Sequence, residues 1–335
     1  MTNRHMCALT RRSAMLGAGA LGVALGAGFG PVRAARPLRL ATLKFGTVNW
    51  LLDTVAAEGL DVREGVTLQR TQLASTQALT VALQANDADL VVSDWTWAMR
   101  RRADGEKVQF APYSSALGAL VVGKESKING LADLKGKKLG VAGGPLDKSW
   151  LLLRARAHDL VGGDIATMLE PVFGAPPLLS EQLRLGRIDA VLTYWQFAAR
   201  LDAEGFRKLT DVTQLMGELG VTPPPPLVGF VWREELAKAE PRALSGFFRA
   251  VDAANQILKS SDAAWDRLKP SMQVSSDAEF ARLREYFRAG VPGPWTEAQL
   301  ASSKKLYDLL ADLGGADVVG ANPRFDPALF WSPKA

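Results

Sequence analysis

Asp89-Leu90-Val91-Val92-Ser93-Asp94-Trp95 is the stretch that decides the fold. Asp89 to Val92 is short and nearly all apolar, as suits a central strand of a parallel sheet covered on both faces. Ser93-Asp94 breaks the run and supplies a loop and N-cap for a helix carrying Trp95, Trp97 and Met99. Upstream, Leu38 to Lys44 alternates apolar and polar residues, as a strand does. Phe45-Gly46-Thr47-Val48-Asn49 interrupts it, and a helix is expected from about Trp50 to Glu58. Val66 to Thr71 is a second strand, and Ala74-Ser75-Thr76-Gln77 a loop with a helix start. The helix that follows is expected to bury Ala78, Val81, Ala82 and Ala85. Strand, helix, strand, helix, strand is the α/β pattern with a parallel sheet.

Downstream the cycle repeats. Leu117 to Val122 is a strand, Leu139 to Ala142 another, and Gly143-Gly144-Pro145 a turn before a helix from Asp147 to about His158. Pro171 to Phe173 reads as a strand, Leu178 to Leu185 as a helix, Ile188 to Leu192 as a strand, and Trp195 to Leu201 as a helix. Pro223-Pro224-Pro225-Pro226 is a stiff extended connector, and Leu227 to Trp232 forms one more strand. The rest is helical. Leu244, Phe247, Phe248, Val251 and Leu258 share a helix face. Ser276 with Glu279, and Thr296 with Gln299, are capping boxes, and Gly314 ends the last helix. The aromatic stripes of these helices read as packing.

The first 34 residues have their own logic. Arg11-Arg12 is followed by an uncharged Gly/Ala/Leu-rich run to Phe29, and Val32-Arg33-Ala34 places small apolar residues at a cleavage site. This is a twin-arginine export signal with cleavage near Ala34, which places the working protein in the periplasm. The run is too short and too rich in glycine for an anchor. Four of the 40 basic residues (Arg4, Arg11, Arg12, Arg33) and none of the 35 acids fall there, so the remainder is nearly neutral. That balance argues against a nucleic-acid partner. The single cysteine, Cys7, and one of the two histidines, His5, also fall there. His158, in a helix, is then the only histidine, and neither a thiol nucleophile, a disulfide nor a multi-histidine metal site can be built. Gly143-Gly144-Pro145 lacks the Gly-Lys-Ser/Thr ending of a phosphate loop. No cofactor and no catalytic residues are expected.

Three segments carry a resemblance. Gly130-Leu131-Ala132-Asp133-Leu134-Lys135-Gly136-Lys137-Lys138-Leu139-Gly140-Val141 resembles the opening of the second lobe of a known family. Leu183-Arg184-Leu185-Gly186-Arg187-Ile188-Asp189-Ala190 with Trp195 resembles a later segment of that lobe, and Ala82 to Leu90 a first-lobe segment. In this order, behind an export signal, they resemble extracytoplasmic solute-binding proteins of ABC importers, in the group that binds nitrate, sulfonates, taurine and thiamine-pyrimidine precursors. The resemblance implies an α/β fold of two lobes, the type II periplasmic-binding-protein fold. Lobe one would be 35–121 plus 229–335, lobe two 122–228, with the C-terminal helices packed on lobe one. Leu117–Val122 and Leu227–Trp232 would be the crossing strands. It implies a ligand cleft between the lobes, hinge closure, an inner-membrane permease with its ATPase as partner, and a monomer.

Open parallel sheets bind ligands beyond the carboxyl ends of their strands, where helix starts offer free N–H groups. Thr47, Asn49, Ser75, Thr76, Asp94, Trp95, Asp147, Ser149 and Trp195 follow strands in this way and span both lobes, and so are the expected ligand-binding residues. Trp50, Trp95, Trp150 and Trp195 could stack on a heterocycle or hold a cation, or pack the lobe cores. Asp94 and Asp147 could bind a cation, or serve only as N-caps. The expected loops lack arginine, with Lys44 and Lys148 the nearby cations, which argues against an anion and for an aromatic or cationic organic molecule. A periplasmic sensor or accessory binding protein, or a pyrimidine-forming enzyme on the same fold, are the alternatives. The enzyme is disfavoured by the lone histidine and absent thiol.

Overall fold

The computed structural model describes residues 36–331; the expected export signal lies outside them. The chain builds two five-stranded sheets on one plan. The first begins with β1 (Leu38–Leu43), α1 (Val48–Ala57), a short α2 (Leu60–Arg63), β2 (Leu68–Leu73) and α3 (Thr76–Gln84). It continues with β3 (Leu90–Asp94), α4 (Trp95–Ala103) and β4 (Val108–Ser114). The chain then crosses to β5 (Ala119–Val122), β6 (Lys138–Ala142), α5 (Lys148–Val161), β7 (Glu170–Gly174) and α6 (Pro176–Arg184). β8 (Ala190–Thr193), α7 (Trp195–Ala203), β9 (Arg207–Asp211) and α8 (Val212–Glu218) complete the second half. β10 (Val228–Arg233) returns to the first sheet, and α9 (Glu234–Ala239), α10 (Pro241–Ser260), α11 (Asp262–Met272), α12 (Asp277–Ala289) and α13 (Glu297–Val319) follow.

The strand orders are β2-β1-β3-β10-β4 and β7-β6-β8-β5-β9. Each sheet holds three parallel strands, one antiparallel strand that arrives from the other half, and an outer strand beyond it. β5 pairs within the second sheet, so the chain changes sheets at 115–118, ahead of the boundary expected at 121/122. The second passage is 219–227, through the prolines. At the first passage a side chain on Gly118 would collide with the Thr193 carbonyl oxygen, which is why glycine stands there.

β4 and β9 lie outside the sequence expectations. β4 carries Pro112, which is tolerated because β4 is an edge strand. β9 (Arg-Lys-Leu-Thr-Asp) is charged, as edges often are. The face of α3 differs from the expected one: Leu79 and Leu83 are buried, whereas Val81 and Ala85 are exposed. Two leucines at i, i+4 bury more apolar area than a valine and three alanines, and they set the rotation of the helix.

The C-terminal helices also depart from the simple expectation. α10 and α11 pack on α1 of the first lobe, but α12 packs chiefly on α7 of the second, and α13 lies on both α4 and α5. α13 kinks at Gly315 rather than ending at Gly314. The reason lies in where the apolar faces go. Leu306, Tyr307 and Leu310 of α13 join a core that includes Trp95 of α4 and Leu152 of α5. Phe280, Leu283 and Phe287 of α12 join a core that reaches Trp195 and Ala199 of α7. Both flanks of the molecule are thereby bridged by apolar packing.

Candidate functional site

A cavity of about 330 Å³ lies between the carboxyl ends of the two sheets, within the size range usual for small-molecule sites. Leu43, Thr47, Val48, Asp94 and Tyr113 wall it from the first lobe. Asp147, Lys148, Ser149, Tyr194, Trp195 and Gln196 wall it from the second, and the passages add Leu117, Gly118 and Leu227. The walls are mainly aliphatic and aromatic, with a few polar groups at helix starts. Among the described residues no arginine lines it.

Four helices begin at this cavity. Asp94 caps α4 by accepting from the Trp97 amide, 2.9 Å, and Asp147 caps α5 by accepting from the Ser149 amide, 2.9 Å. Thr47 and Tyr194 precede α1 and α7, and neither helix has a side-chain cap. In α1 the Asn49 and Trp50 amides already donate to the Gly46 and Thr47 carbonyls, 3.1 and 3.2 Å, and in α7 the Phe197 amide donates to the Tyr194 carbonyl, 3.0 Å. Donor capacity is therefore confined to the remaining first-turn amides, reinforced by the helix dipoles. The Thr47 hydroxyl is 3.1 Å from the Tyr113 hydroxyl and shares a hydrogen bond with it.

The charged groups are unequal. Lys148 Nζ sits 3.3 Å from Asp94 Oδ1, joining the two lobes across the cavity, and both side chains remain about a quarter exposed, 26% and 27%. Burial pushes the Asp94 carboxyl up. Lys148, the Thr96 hydroxyl and the Trp97 amide outweigh this, so Asp94 lies below the ordinary carboxylate value. At Asp147 burial wins over the Ser149 amide and Lys148, and its carboxyl lies above the ordinary value. Tyr194 is pushed up to about 12 by burial and by the Asp147 charge. Gly143, at φ +93°, makes room for this pair: a Cβ there would lie 3.0 Å from Asp147 Oδ2 and 3.1 Å from the Tyr194 hydroxyl.

The structure brings together five of the nine expected residues: Thr47, Asp94, Asp147, Ser149 and Trp195. The other four lie elsewhere. Trp95 is 0% exposed, packed in the core against Phe330 with ring centroids 5.7 Å apart. Asn49 is consumed internally: its oxygen accepts from the Thr42 hydroxyl, 2.9 Å, and its amide donates to the Leu43 carbonyl, 2.9 Å. Ser75 caps α3, 3.2 Å from the Ala78 amide, and Thr76 beside it is exposed outside the cavity. Trp50 and Trp150 are core residues as well. Tyr113, Tyr194 and Gln196 were not expected. Tyr194 and Gln196 flank Trp195, so that signal was present in the sequence; Tyr113 sits in the unexpected strand β4.

A larger open cleft of about 740 Å³ adjoins the cavity and shares Gly46, Thr47 and Gln196 with it. Its two arginines are already engaged, Arg184 with Glu204 at 2.7 Å and Arg200 with Glu279. Among the described residues no cluster of His, Cys, Asp and Glu is suited to hold a metal ion, and no helix is long and apolar enough to cross a membrane.

Two sheets joined by paired passages, with a cavity at their facing carboxyl ends, define the periplasmic-binding-protein fold. The aliphatic sulphonate binding protein SsuA of Escherichia coli has this fold, with a TM-score of 0.69 at 18% identity over 90% of this chain and 96% of that one. The alkanesulfonate-binding SsuA of Xanthomonas axonopodis pv. citri, bound to MOPS, is similar at TM-score 0.64 and 18% identity, over 89% and 99% of the two chains. Candida albicans CA3427, described as having the generic periplasmic binding protein fold, matches at TM-score 0.58 and 14% identity over 87% and 98%. Within that fold, residues 56–262 match the family described as NMT1/THI5 like, and the chain belongs to it. No curated protein matches by sequence.

Proposed function

We propose that this protein is the solute-binding component of an ABC-type importer, exported by its twin-arginine signal and working with a permease in the inner membrane. The observation that carries this reading is the cavity itself, which is walled by helix starts of both lobes. The lobes divide at the two passages, 115–118 and 219–227, about which they close on solute.

The site chemistry favours a small organic solute with an aromatic or apolar body. Asp147 lacks a cation of its own, since Lys148 is committed to Asp94, so a cationic or hydrogen-bond-donating group is best placed there. The uncapped starts of α1 and α7 suit a hydrogen-bond acceptor at the opposite end. The similar proteins named for sulfonates do not transfer that ligand here, because no arginine lines the cavity and its lysine is paired.

A matched set of ligands tests this: benzamidine, benzamide and benzenesulfonate share a ring and differ in charge. A ligand bound only to the native state raises its apparent stability. Thermal shifts at equal concentration are expected in that order. A larger shift with benzenesulfonate would overturn the charge assignment. Mass spectrometry of solute released from protein purified out of its own cells then identifies the natural ligand.

A further inference from the structure

Among the described residues three ion pairs join the lobes, and they differ in kind. Arg200 of α7 meets Glu279 of α12, and Asp202 of α7 meets Arg282 at 3.4 Å. Both belong to a packed seam. Trp195, Ala199 and Asp202 fall at i, i+4 and i+7 on α7, and this helix packs on α12. Trp195 lies 6.0 Å from Trp50 and 6.3 Å from Phe287, ring to ring. The third pair, Asp94–Lys148, stands inside the cavity and is partly exposed.

Its two partners are held very differently. Asp94 accepts from the Thr96 hydroxyl and the Trp97 amide of its own helix, besides Lys148. Lys148 is the first residue of α5, at the positive end of the helix dipole, where a cation is disfavoured. Its position is therefore secured from the opposite lobe. A bond whose acid has other donors, and whose cation gains little from its own helix, can be made and broken at small cost.

We propose that the Asp94–Lys148 ion pair is the latch of the solute cavity: it holds the lobes together across the site, and its breaking opens the cavity to solvent. The proposal rests on the solute-receptor reading for its purpose, but its test uses no solute, so the two can fail separately. The α7–α12 seam and the packing of α13 on both α4 and α5 stay in place while the latch opens, so the opening is local to the cavity mouth.

The test is thiol labelling. In the full chain with Cys7→Ser, Ser149→Cys places the sole thiol in the cavity, and its rate of reaction with a maleimide reads cavity opening. Asp94→Asn keeps an N-cap oxygen, and Lys148→Met keeps the aliphatic stem. Each is expected to raise the labelling rate severalfold, up to about fivefold, and the double variant no further than the faster single one, since both remove one bond. Ala157→Cys, 0% exposed in the core of α5, reports global unfolding; its rate is expected to stay unchanged. The latch is overturned if both variants label Ser149→Cys at the parent rate. It is equally overturned if they accelerate Ala157→Cys as much, because the effect is then general destabilisation.

Discussion

The two lobes put matching parts in matching places. β1 leads through Thr47 into α1 and Trp50, as β6 leads through Asp147 into α5 and Trp150; β3 leads through Asp94 into Trp95, as β8 leads through Tyr194 into Trp195. What differs is which helix receives a carboxylate cap. The first lobe caps α4 and leaves α1 without a side-chain cap, whereas the second caps α5 and leaves α7 without one. Facing each other, the lobes gather both acids and Lys148 at one side of the cavity, while α1 and α7 meet through Trp50 and Trp195. A repeated plan with exchanged caps thus makes a polarised site: acids on one flank, helix starts without side-chain caps and an indole on the other.

The sharpest way to break this comparison uses the paired tryptophans. Trp95→Ala and Trp195→Ala each remove a large buried ring and are expected to cost about 3–5 kcal/mol of stability in urea unfolding. Only the Trp195 substitution removes a wall of the cavity. It should weaken benzamidine binding by calorimetry at least tenfold at a temperature where the variant is folded, whereas Trp95→Ala should leave that affinity near the parent value. Equal losses of affinity would show that the indole of Trp195 acts through packing alone.

Local patterns made much of this fold legible. β3 and β8 are short apolar runs ending at a polar residue and a tryptophan, and such runs announce central parallel strands. The site was legible only in part, because a residue after a strand can point either of two ways. Asp94 and Trp95 are neighbours, yet one faces the cavity and the other the core, a choice made by α13 and Phe330 packing behind α4. Asn49 carries the right chemistry in the right loop, but the Thr42 hydroxyl and two carbonyls claim it. The placement of α12 on α7 joins residues far apart in sequence, and periodicity within a helix does not name its neighbour.

The two acids sharpen the comparison through pH. Asp94 has a folded pKa below its unfolded value of about 3.9. Its stabilising contribution is therefore complete above that value and is lost as pH falls through the lower folded one. Asp147 has a raised folded pKa, so ionising it opposes folding, and the penalty grows as pH rises from about 3.9 through the folded value. Asp147→Asn should accordingly gain stability relative to the parent at neutral pH and lose that advantage in acid, while Asp94→Asn should lose stability at neutral pH. Lys148 and Tyr194 face these acids; Tyr194, at about 12, remains protonated throughout this range. Calorimetric unfolding from pH 3 to 8 reads both slopes. Parallel profiles for the two variants would remove the electrostatic contrast between the lobes.

Positions 49 and 149 make a smaller contrast. Asn49→Ala strands the buried Thr42 hydroxyl and is expected to cost about 1–3 kcal/mol of stability with benzamidine affinity unchanged. Ser149→Ala removes a cavity hydroxyl while the Ser149 amide keeps its bond to Asp147. It is expected to alter affinity more than stability. Urea unfolding and calorimetry on the two variants separate a scaffold residue from a wall residue.

The smallest effects belong to Ser75 and Thr76, which open α3 as Asp94 opens α4 but lie outside the cavity. Ser75 accepts the Ala78 amide at 3.2 Å from an exposed position. Replacing an N-cap serine by alanine typically costs about 1 kcal/mol, and Ser75→Ala should lower the unfolding free energy by that much, read as a fall in the urea midpoint at unchanged slope. Thr76 makes no side-chain hydrogen bond among those of the described residues, and surface substitutions of this kind usually stay within about 0.5 kcal/mol. Neither variant should change benzamidine affinity. A loss of binding in Ser75→Ala beyond its loss of stability would mean that α3 reaches the solute. The polarised site would then extend past α1 and α4 to a third helix start of the first lobe.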